Sequence, residues 1–213
     1  MNRRNALQQI GALALLASPA SIVLGHSITT KDLFETLKTA VSTNASGKIE
    51  VLEFFQYTCS HCMDFDPLIK QWIKRLPKDV VFAQVPMIWR GPDEGFARLH
   101  YALLATKQTE LHEKVFVDVQ ENRLPLHTEE GVREWARANK LDVPTFMKTY
   151  SSTLWVDTQV KRAIKLASDY KIQSVPTMAV AGRFLTSASL TGSHEATLEV
   201  VDSLIERARK HKP

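Results

Sequence analysis

The alternation of apolar and polar positions predicts a small sheet interrupted by a long helical stretch. Residues 49–57 read IEVLEFFQY, a nearly continuous run of β-branched and aromatic side chains. Such a run is typical of a strand that is buried on both faces. Residues 59–75 place apolar side chains at helical spacing, and Pro67 is expected to kink that helix. After a turn, residues 80–86 predict a second strand, so this half has the order β-α-β.

The periodicity changes in the second half of the chain. Residues 93–150 show only helical spacing, which predicts a small all-α insertion. Residues 158–170 predict an amphipathic helix with Ile164 on its inward side. Residues 178–186 predict two short strands joined by a turn at Gly182-Arg183, and 195–210 predict a last helix. The second half therefore reads as helical insertion, then α-β-β-α.

Composition indicates a globular protein without a nucleic-acid surface. The chain has 213 residues, of which 44% are hydrophobic and 23% charged, enough for one domain with a substantial core. It has 27 basic and 23 acidic residues, and no acidic residue occurs in the first 25. Without Arg3 and Arg4, which lie in that segment, 27 − 2 leaves 25 basic residues against 23 acidic ones. The basic residues are dispersed, so no phosphate-binding surface is predicted.

The first 25 residues read as a cleaved export signal. Arg3 and Arg4 precede an apolar run that is too short, and too interrupted by Pro19, for a good membrane span. Small residues such as Ser18 and Ala20 fit a cleavage site. An uncleaved anchor is the alternative, and the arginine pair leaves open twin-arginine export besides general secretion. The segment predicts export to an oxidising compartment, where disulfides persist.

The chain contains two cysteines, Cys59 and Cys62, and they are separated by Ser60 and His61. A disulfide within so short a loop stabilises a fold little, so the pair is expected to take part in a chemical reaction rather than to stabilise the protein. Cys59 lies at the start of a predicted helix, where free N–H groups and the helix dipole stabilise a thiolate. We therefore predict that Cys59 is the nucleophile and that Cys62 closes the disulfide. His61, between the sulfurs, is expected to stabilise the thiolate further, unless it is merely an exposed loop residue.

Glu53, the Val175-Pro176 pair and the CxxC motif each allow more than one interpretation. Glu53 is a carboxylate in an apolar strand. If it is buried, its pKa should rise and it could exchange protons with Cys62; if it faces solvent, it has no such role. Val175-Pro176 precedes a strand, where a cis peptide bond could form a tight turn. The CxxC pair could also bind metal, although structural zinc needs four ligands and the remaining histidines are scattered.

Several of these segments together resemble the DsbA family of periplasmic thiol–disulfide oxidants. VLEFFQYTCSHC resembles the active-site strand and turn of the family, and SVPTMAVAGRF resembles its cis-proline loop and following hairpin. The helical block resembles the insertion that the family carries in a thioredoxin fold. The resemblance implies an α/β thioredoxin-like domain formed by residues 27–91 and 156–213, with an inserted helical domain at 92–155.

The resemblance also implies roles for individual residues. Cys59 attacks, Cys62 resolves, His61 tunes the thiolate, Glu53 is the buried acid, and Val175-Pro176 forms a cis turn that helps to dock substrate. Ser60 departs from the family, which usually has proline there, and this departure is expected to affect the strength of the oxidant more than its identity.

The family's activity implies partners but no cofactor. The expected function is a dithiol oxidase that acts on reduced exported proteins in the periplasm and is reoxidised by a DsbB-like, quinone-linked membrane partner. A monomer is the default expectation, and neither nucleic acid nor metal is expected. A disulfide isomerase or reductase is the alternative. Only about 20 residues lie between the predicted signal and the first predicted strand, which leaves no room for the dimerisation domain that those relatives usually carry.

Overall fold

The computed structural model describes residues 33–45 and 47–210, so the predicted signal segment lies outside the described residues. The described elements, in chain order, are β1 Glu35–Thr36, β2 Ile49–Phe55, α1 Ser60–Ile73, β3 Val80–Pro86, α2 Gly91–Ala105, a 3-10 turn Thr109–Leu111, α3 His112–Gln120, α4 Glu129–Ala138, α5 Val143–Tyr150, α6 Val156–Asp169, β4 Thr177–Val180, β5 Phe184–Thr186, α7 Ala188–Thr191 and α8 His194–Lys210. Within the described ranges, no helix is both long and apolar enough to cross a membrane.

The described strands form one mixed sheet in the order β1-β5-β4-β2-β3. The central strand β2 runs parallel to β3 and antiparallel to β4. All seven residues of β2 are buried, as the continuous apolar pattern predicts for a strand covered on both faces. The predicted β-α-β unit and the later β-hairpin therefore join into one sheet with β2 at its centre, which is the thioredoxin-like arrangement that the family resemblance implied.

The two faces of the sheet have separate cores. One face carries Ile49 and Val51, which pack with residues of α1 and α8 such as Phe65 and Val201. The opposite face carries Leu52 and Phe54, which pack with α2 and α6. Since side chains alternate along a strand, Glu53 shares the face that α1 covers. The strand therefore aims the one carboxylate near its end at the helix that carries the cysteines.

The helical region between β3 and α6 has a core of its own. Residues of α2, α3, α4 and α5 pack together and reach the end of β2; among them are Leu99, Phe116, Trp135 and Phe146. Phe55 and Tyr57 belong to the same cluster, so the helical region covers the segment that leads to Cys59. The predicted all-α insertion is present, while its assignment to residues 92–155 as a separate domain stays a prediction.

Some local predictions were wrong. Ile164 is 48% exposed rather than inward, because the buried stripe of α6 follows Val156, Val160, Ala163 and Leu166 and leaves Ile164 beside it. The strand predicted to extend to Tyr57 ends at Phe55, and the helix expected to begin at Cys59 begins at Ser60.

The turn between β4 and β5 has a clear local cause. Ala181 and Gly182 both have positive φ, 54° and 69°, as the two central residues of a primed β-turn require, and the N–H of Arg183 closes this turn on the carbonyl oxygen of Val180 at 3.0 Å. A Cβ at position 182 would lie 2.0 Å from the carbonyl oxygen of Val41. Glycine is therefore needed here both for the backbone conformation and for the close approach of the N-terminal segment.

Candidate active site

The two cysteines lie where β2 gives way to α1. Cys59 is the N-cap residue of α1, with extended backbone angles of −94° and 114°, and its Sγ accepts a hydrogen bond from the backbone N–H of Cys62 at 3.3 Å. Cys59 is partly exposed, whereas Cys62 is fully buried in the first turn of the helix. The sulfur that an incoming thiol can reach is therefore the one that the free N–H groups of the helix stabilise.

The surroundings displace the pKa values of the two thiols in opposite directions. A hydrogen bond from the Cys62 thiol, together with the backbone N–H groups of Cys62 and His61 and the charge of His61, lowers the pKa of Cys59 to about 6, although partial burial opposes this. Burial raises the pKa of Cys62, and hydrogen bonding to Cys59 and the charges of Cys59 and Glu53 raise it further. At neutral pH the pair therefore holds a thiolate at Cys59 and a thiol at Cys62.

His61 is exposed on the first turn of α1, between the two cysteines. Its ring lies 6.2 Å from the ring of His194, which begins α8 and stacks on Phe65 at 4.7 Å. Burial lowers the pKa of His194, and the charge of His61 adds to this effect. His61 therefore lies on the solvent side of the pair, and its charge is among the effects that lower the pKa of Cys59.

The loop before β4 lies beside the nucleophile. The Val175–Pro176 peptide bond is cis, as the resemblance implied, and Pro176 is buried. The carbonyl oxygen of Val175 is 3.7 Å from Cys59 Sγ, and it accepts a hydrogen bond from this sulfur when Cys59 is in the thiol form. This backbone carbonyl is therefore next to the sulfur that would join a substrate.

Glu53 is 1% exposed. Burial raises its pKa to about 8; the charges of Asp66 and Cys59 also raise it, while a hydrogen bond from Gln84 lowers it. The Gln84 amide nitrogen lies 2.8 Å from Glu53 Oε2. Because burial disfavours the charged form and outweighs the hydrogen bond from the neutral Gln84 amide, Glu53 keeps its proton at neutral pH. A charge on Glu53 would raise the pKa of the Cys62 thiol.

The acid belongs to a buried polar network that connects the sheet with α1 and α3. The Gln84 amide nitrogen is also 3.0 Å from Nε2 of His112, and that Nε2 is 3.4 Å from a carboxylate oxygen of Asp66. The other ring nitrogen of His112 is 2.7 Å from the Tyr57 hydroxyl. Burial holds the pKa of His112 well below its usual range, so this histidine is neutral.

Sequence reasoning missed Gln84 and Gln120. The parallel pairing of β2 with β3 puts Gln84 opposite Glu53, so the order of the strands contained a signal for it. Gln120 ends α3, and its amide nitrogen donates to the carbonyl oxygens of Tyr57 at 2.9 Å and Cys59 at 3.0 Å. No sequence pattern connects it with residues about sixty positions earlier.

Comparison with known proteins identifies the family. No protein-family model matches the chain. The chain is 40% identical over 169 residues to the thiol:disulfide interchange protein DsbA of Bordetella parapertussis, which covers 79% of this chain and 80% of that protein. It is 36% identical over 206 residues to DsbA of Bordetella pertussis, covering 96% and 95% of the two chains.

The chain belongs to the DsbA family. The crystal structure of Pseudomonas aeruginosa DsbA superposes with a TM-score of 0.80 at 32% identity, over 84% of this chain and 93% of that one. The family resemblance, the thioredoxin-like fold and the prediction of an enzyme are thereby confirmed: the protein is a thiol:disulfide oxidoreductase. The structure brings Cys59, Cys62, His61, Glu53 and the Val175–Pro176 bond together at one site.

Proposed function

We propose that the protein is a dithiol oxidase that transfers the Cys59–Cys62 disulfide to reduced proteins through a mixed disulfide at Cys59. The observation that carries the proposal is the opposite displacement of the two thiol pKa values within one turn of helix. A stabilised Cys59 thiolate stabilises the reduced protein, so the disulfide form gives up its bond readily.

The reaction balances as two exchanges. A substrate thiolate attacks Sγ of Cys59; the Cys59–Cys62 bond breaks, and Cys62 leaves with the electron pair and takes up a proton. A second substrate thiolate then attacks the substrate sulfur in the mixed disulfide, and Cys59 leaves as a thiolate. The substrate dithiol loses two electrons and two protons. The enzyme keeps both electrons and one of the protons, and the other proton goes to solvent.

Glu53 is the proposed proton donor to Cys62. The leaving Cys62 sulfur is buried and unable to remain charged, because burial raises the pKa of this thiol. The Glu53 carboxyl, with its pKa near 8, holds a proton at neutral pH and is also buried. A group with a pKa close to the working pH serves well as both donor and acceptor, so the Glu53 carboxylate can take the proton back from Cys62 when the enzyme is reoxidised.

Val175 and Pro176 are proposed to hold the substrate, and His61 to tune the nucleophile. The Val175 carbonyl near Cys59 Sγ is a backbone acceptor that can receive an N–H from an extended substrate peptide during the mixed disulfide. His61 supplies positive charge next to the Cys59 thiolate, which favours the reduced enzyme. Ser60 occupies the first helical position, so the departure from the family's proline leaves the N–H donors to Cys59 in place.

The proposed setting is the periplasm, with reduced exported proteins as substrates. Support comes from the DsbA relatives and from the export signal that the sequence predicts. Reoxidation of the Cys59–Cys62 thiols by a DsbB-like, quinone-linked membrane partner completes the cycle, and the protein is proposed to act as a monomer without a cofactor.

The test is the equilibrium of the purified protein with reduced and oxidised glutathione, read by alkylating free thiols. We expect a reduction potential well above that of the glutathione couple, together with stoichiometric oxidation of a reduced peptide dithiol. A Cys62→Ala variant should accumulate a mixed disulfide with the peptide at Cys59, and a Cys59→Ala variant should not. A potential as low as that of a thiol reductase would overturn the proposal and favour the reductase alternative.

A further inference from the structure

Helix α3 of the helical region contacts the segment that carries the nucleophile. We define the redox turn as residues 56–62. The Gln120 amide nitrogen donates to two carbonyl oxygens of this turn, those of Tyr57 and Cys59, at 2.9 and 3.0 Å. Gln120 is the last residue of α3, and its side chain is partly buried. Both hydrogens of one amide group are thus donated to backbone carbonyl groups within the redox turn.

The other end of α3 is fixed to the same structure. His112, its first residue, places Nδ1 2.7 Å from the hydroxyl of Tyr57. Lys70 of α1 forms ion pairs with Glu113 of α3 at 2.7 Å and with Asp66 of its own helix at 3.2 Å. Helix α3 is therefore anchored at its start, so that Gln120 at its end is delivered to the turn by a rigid element.

From this geometry we infer that Gln120 is a positioning residue for Cys59, and that its two hydrogen bonds favour the reduced form of the enzyme. The inference rests on the proposed oxidase function and adds a residue of the helical region to the determinants of its redox equilibrium.

The two redox states depend on Gln120 to different extents. In the reduced enzyme, the Cys59 thiolate is stabilised by non-covalent contacts, among them the 3.3 Å hydrogen bond from the Cys62 N–H. That contact requires the backbone of Cys59 to keep its extended N-cap conformation. In the oxidised enzyme, the Cys59–Cys62 bond itself holds the two residues together. Loss of Gln120 therefore loosens the reduced turn more than the oxidised one.

A second effect has the same sign. The carbonyl oxygen of Cys59 carries partial negative charge close to its own sulfur. It accepts hydrogen bonds from the backbone N–H groups of Cys62 and Met63, both at 3.1 Å, in addition to Gln120. Each donor offsets part of that negative charge. Removing the amide leaves more of it uncompensated beside the thiolate, which raises the free energy of the reduced form.

The test uses three variants of the full protein. Gln120→Leu removes both donors at similar size, and Gln120→Glu keeps the shape but presents a carboxylate to the two carbonyl oxygens. Gln159→Leu is the matched control, because Gln159 is another partly buried helical glutamine, on α6. For each variant we would measure the equilibrium constant with glutathione, the titration of Cys59 by thiolate absorbance, and unfolding by urea.

We expect Gln120→Leu to shift the glutathione equilibrium toward the oxidised enzyme by roughly threefold to tenfold, as loss of one or two hydrogen bonds implies. Cys59 should titrate at higher pH, and Gln120→Glu should exceed both effects. Gln159→Leu should match the wild type. If the Gln120 variants lose stability to urea while the equilibrium and the titration stay within twofold of the wild type, Gln120 is only structural and the inference is wrong. A wild type without an oxidising potential would instead refute the proposed function.

Discussion

The buried acid Glu53 makes the site sensitive to pH in a way that one substitution can test. Glu53→Gln replaces a buried carboxyl group with a neutral amide of the same shape. The Gln84 amide remains next to it. We expect the variant to be more stable than the wild type at neutral pH, because the new side chain does not ionise when the protein unfolds. We also expect it to be a slower oxidase, because the new side chain cannot donate a proton to Cys62.

The magnitude follows from the displaced pKa of Glu53. Below pH 4.5, the ordinary value, the carboxyl is protonated in the folded and the unfolded chain alike. Between pH 4.5 and about 8, the unfolded chain has lost this proton while the folded protein keeps it. The folded state then binds more protons, so its free energy of unfolding falls as the pH rises. The full displacement corresponds to about 5 kcal/mol of unfolding free energy, of which about 3 kcal/mol is lost by pH 7.

The assay is urea unfolding of wild type and Glu53→Gln, with both thiols kept reduced, at pH 4.5 and pH 7. The difference between the two proteins isolates Glu53, because the titration of Cys59 affects both. We expect equal stability at pH 4.5 and a gain of about 3 kcal/mol for the variant at pH 7. Oxidation of a peptide dithiol at pH 7 should be slower by about tenfold or more, as loss of a general acid implies.

Two results would refute the reasoning. If the variant gains no stability between pH 4.5 and pH 7, Glu53 is ionised in the folded protein and its pKa is not raised by burial. If the stability gain appears but peptide oxidation proceeds at the wild-type rate, the carboxyl is buried and protonated without serving as the proton donor to Cys62.

Three further substitutions test separate parts of the structure. Cys62→Ala removes the largest stabilising contact of the Cys59 thiolate, so thiolate absorbance should show Cys59 titrating above pH 6; an unchanged titration would contradict that assignment. Ser60→Pro should raise the unfolding free energy by about 0.5 kcal/mol in urea, since Ser60 is the first residue of α1 and Cys59 before it is already extended; a loss of stability would contradict this. Gly182→Ala should cost about 2 kcal/mol or more, because its Cβ would meet the Val41 carbonyl in a left-handed turn; unfolding at the wild-type urea concentration would refute that.

The sequence predicted the features that local patterns determine. The apolar run of β2, the turn at Gly182 and the placement of Cys59 at a helix start each follow from neighbouring residues. Strand β1 has two residues, Glu35 and Thr36, which is too short for any alternation to appear. The helical spacing of Ile164 from Val160 predicts an inward side chain, whereas the packing of α6 on the sheet determines which edge of its apolar stripe is exposed.

Local sequence patterns do not predict the hydrogen bonds that distant residues make to Glu53 and Cys59. Gln84 touches Glu53 across 31 positions of sequence, and Gln120 touches Cys59 across 61. A glutamine at the end of an amphipathic helix looks like any other polar residue until the fold brings it to a particular carbonyl group. Burial of Glu53 was a conditional prediction for the same reason: the strand pattern gives its face, but the helix that covers that face is determined by tertiary packing.

The arrangement of charges explains why the cysteines need this fold rather than a shorter scaffold. A helix N-terminus and a neighbouring histidine can lower the pKa of a cysteine at any surface position. Keeping Cys62 and Glu53 protonated requires burial, which the central strand β2 and the helices packed around it provide. The same burial destabilises the folded protein as the pH rises, through the displaced pKa of Glu53. Burial at the site therefore costs some folding stability, and it allows a thiolate and a protonated acid to coexist as neighbours at neutral pH.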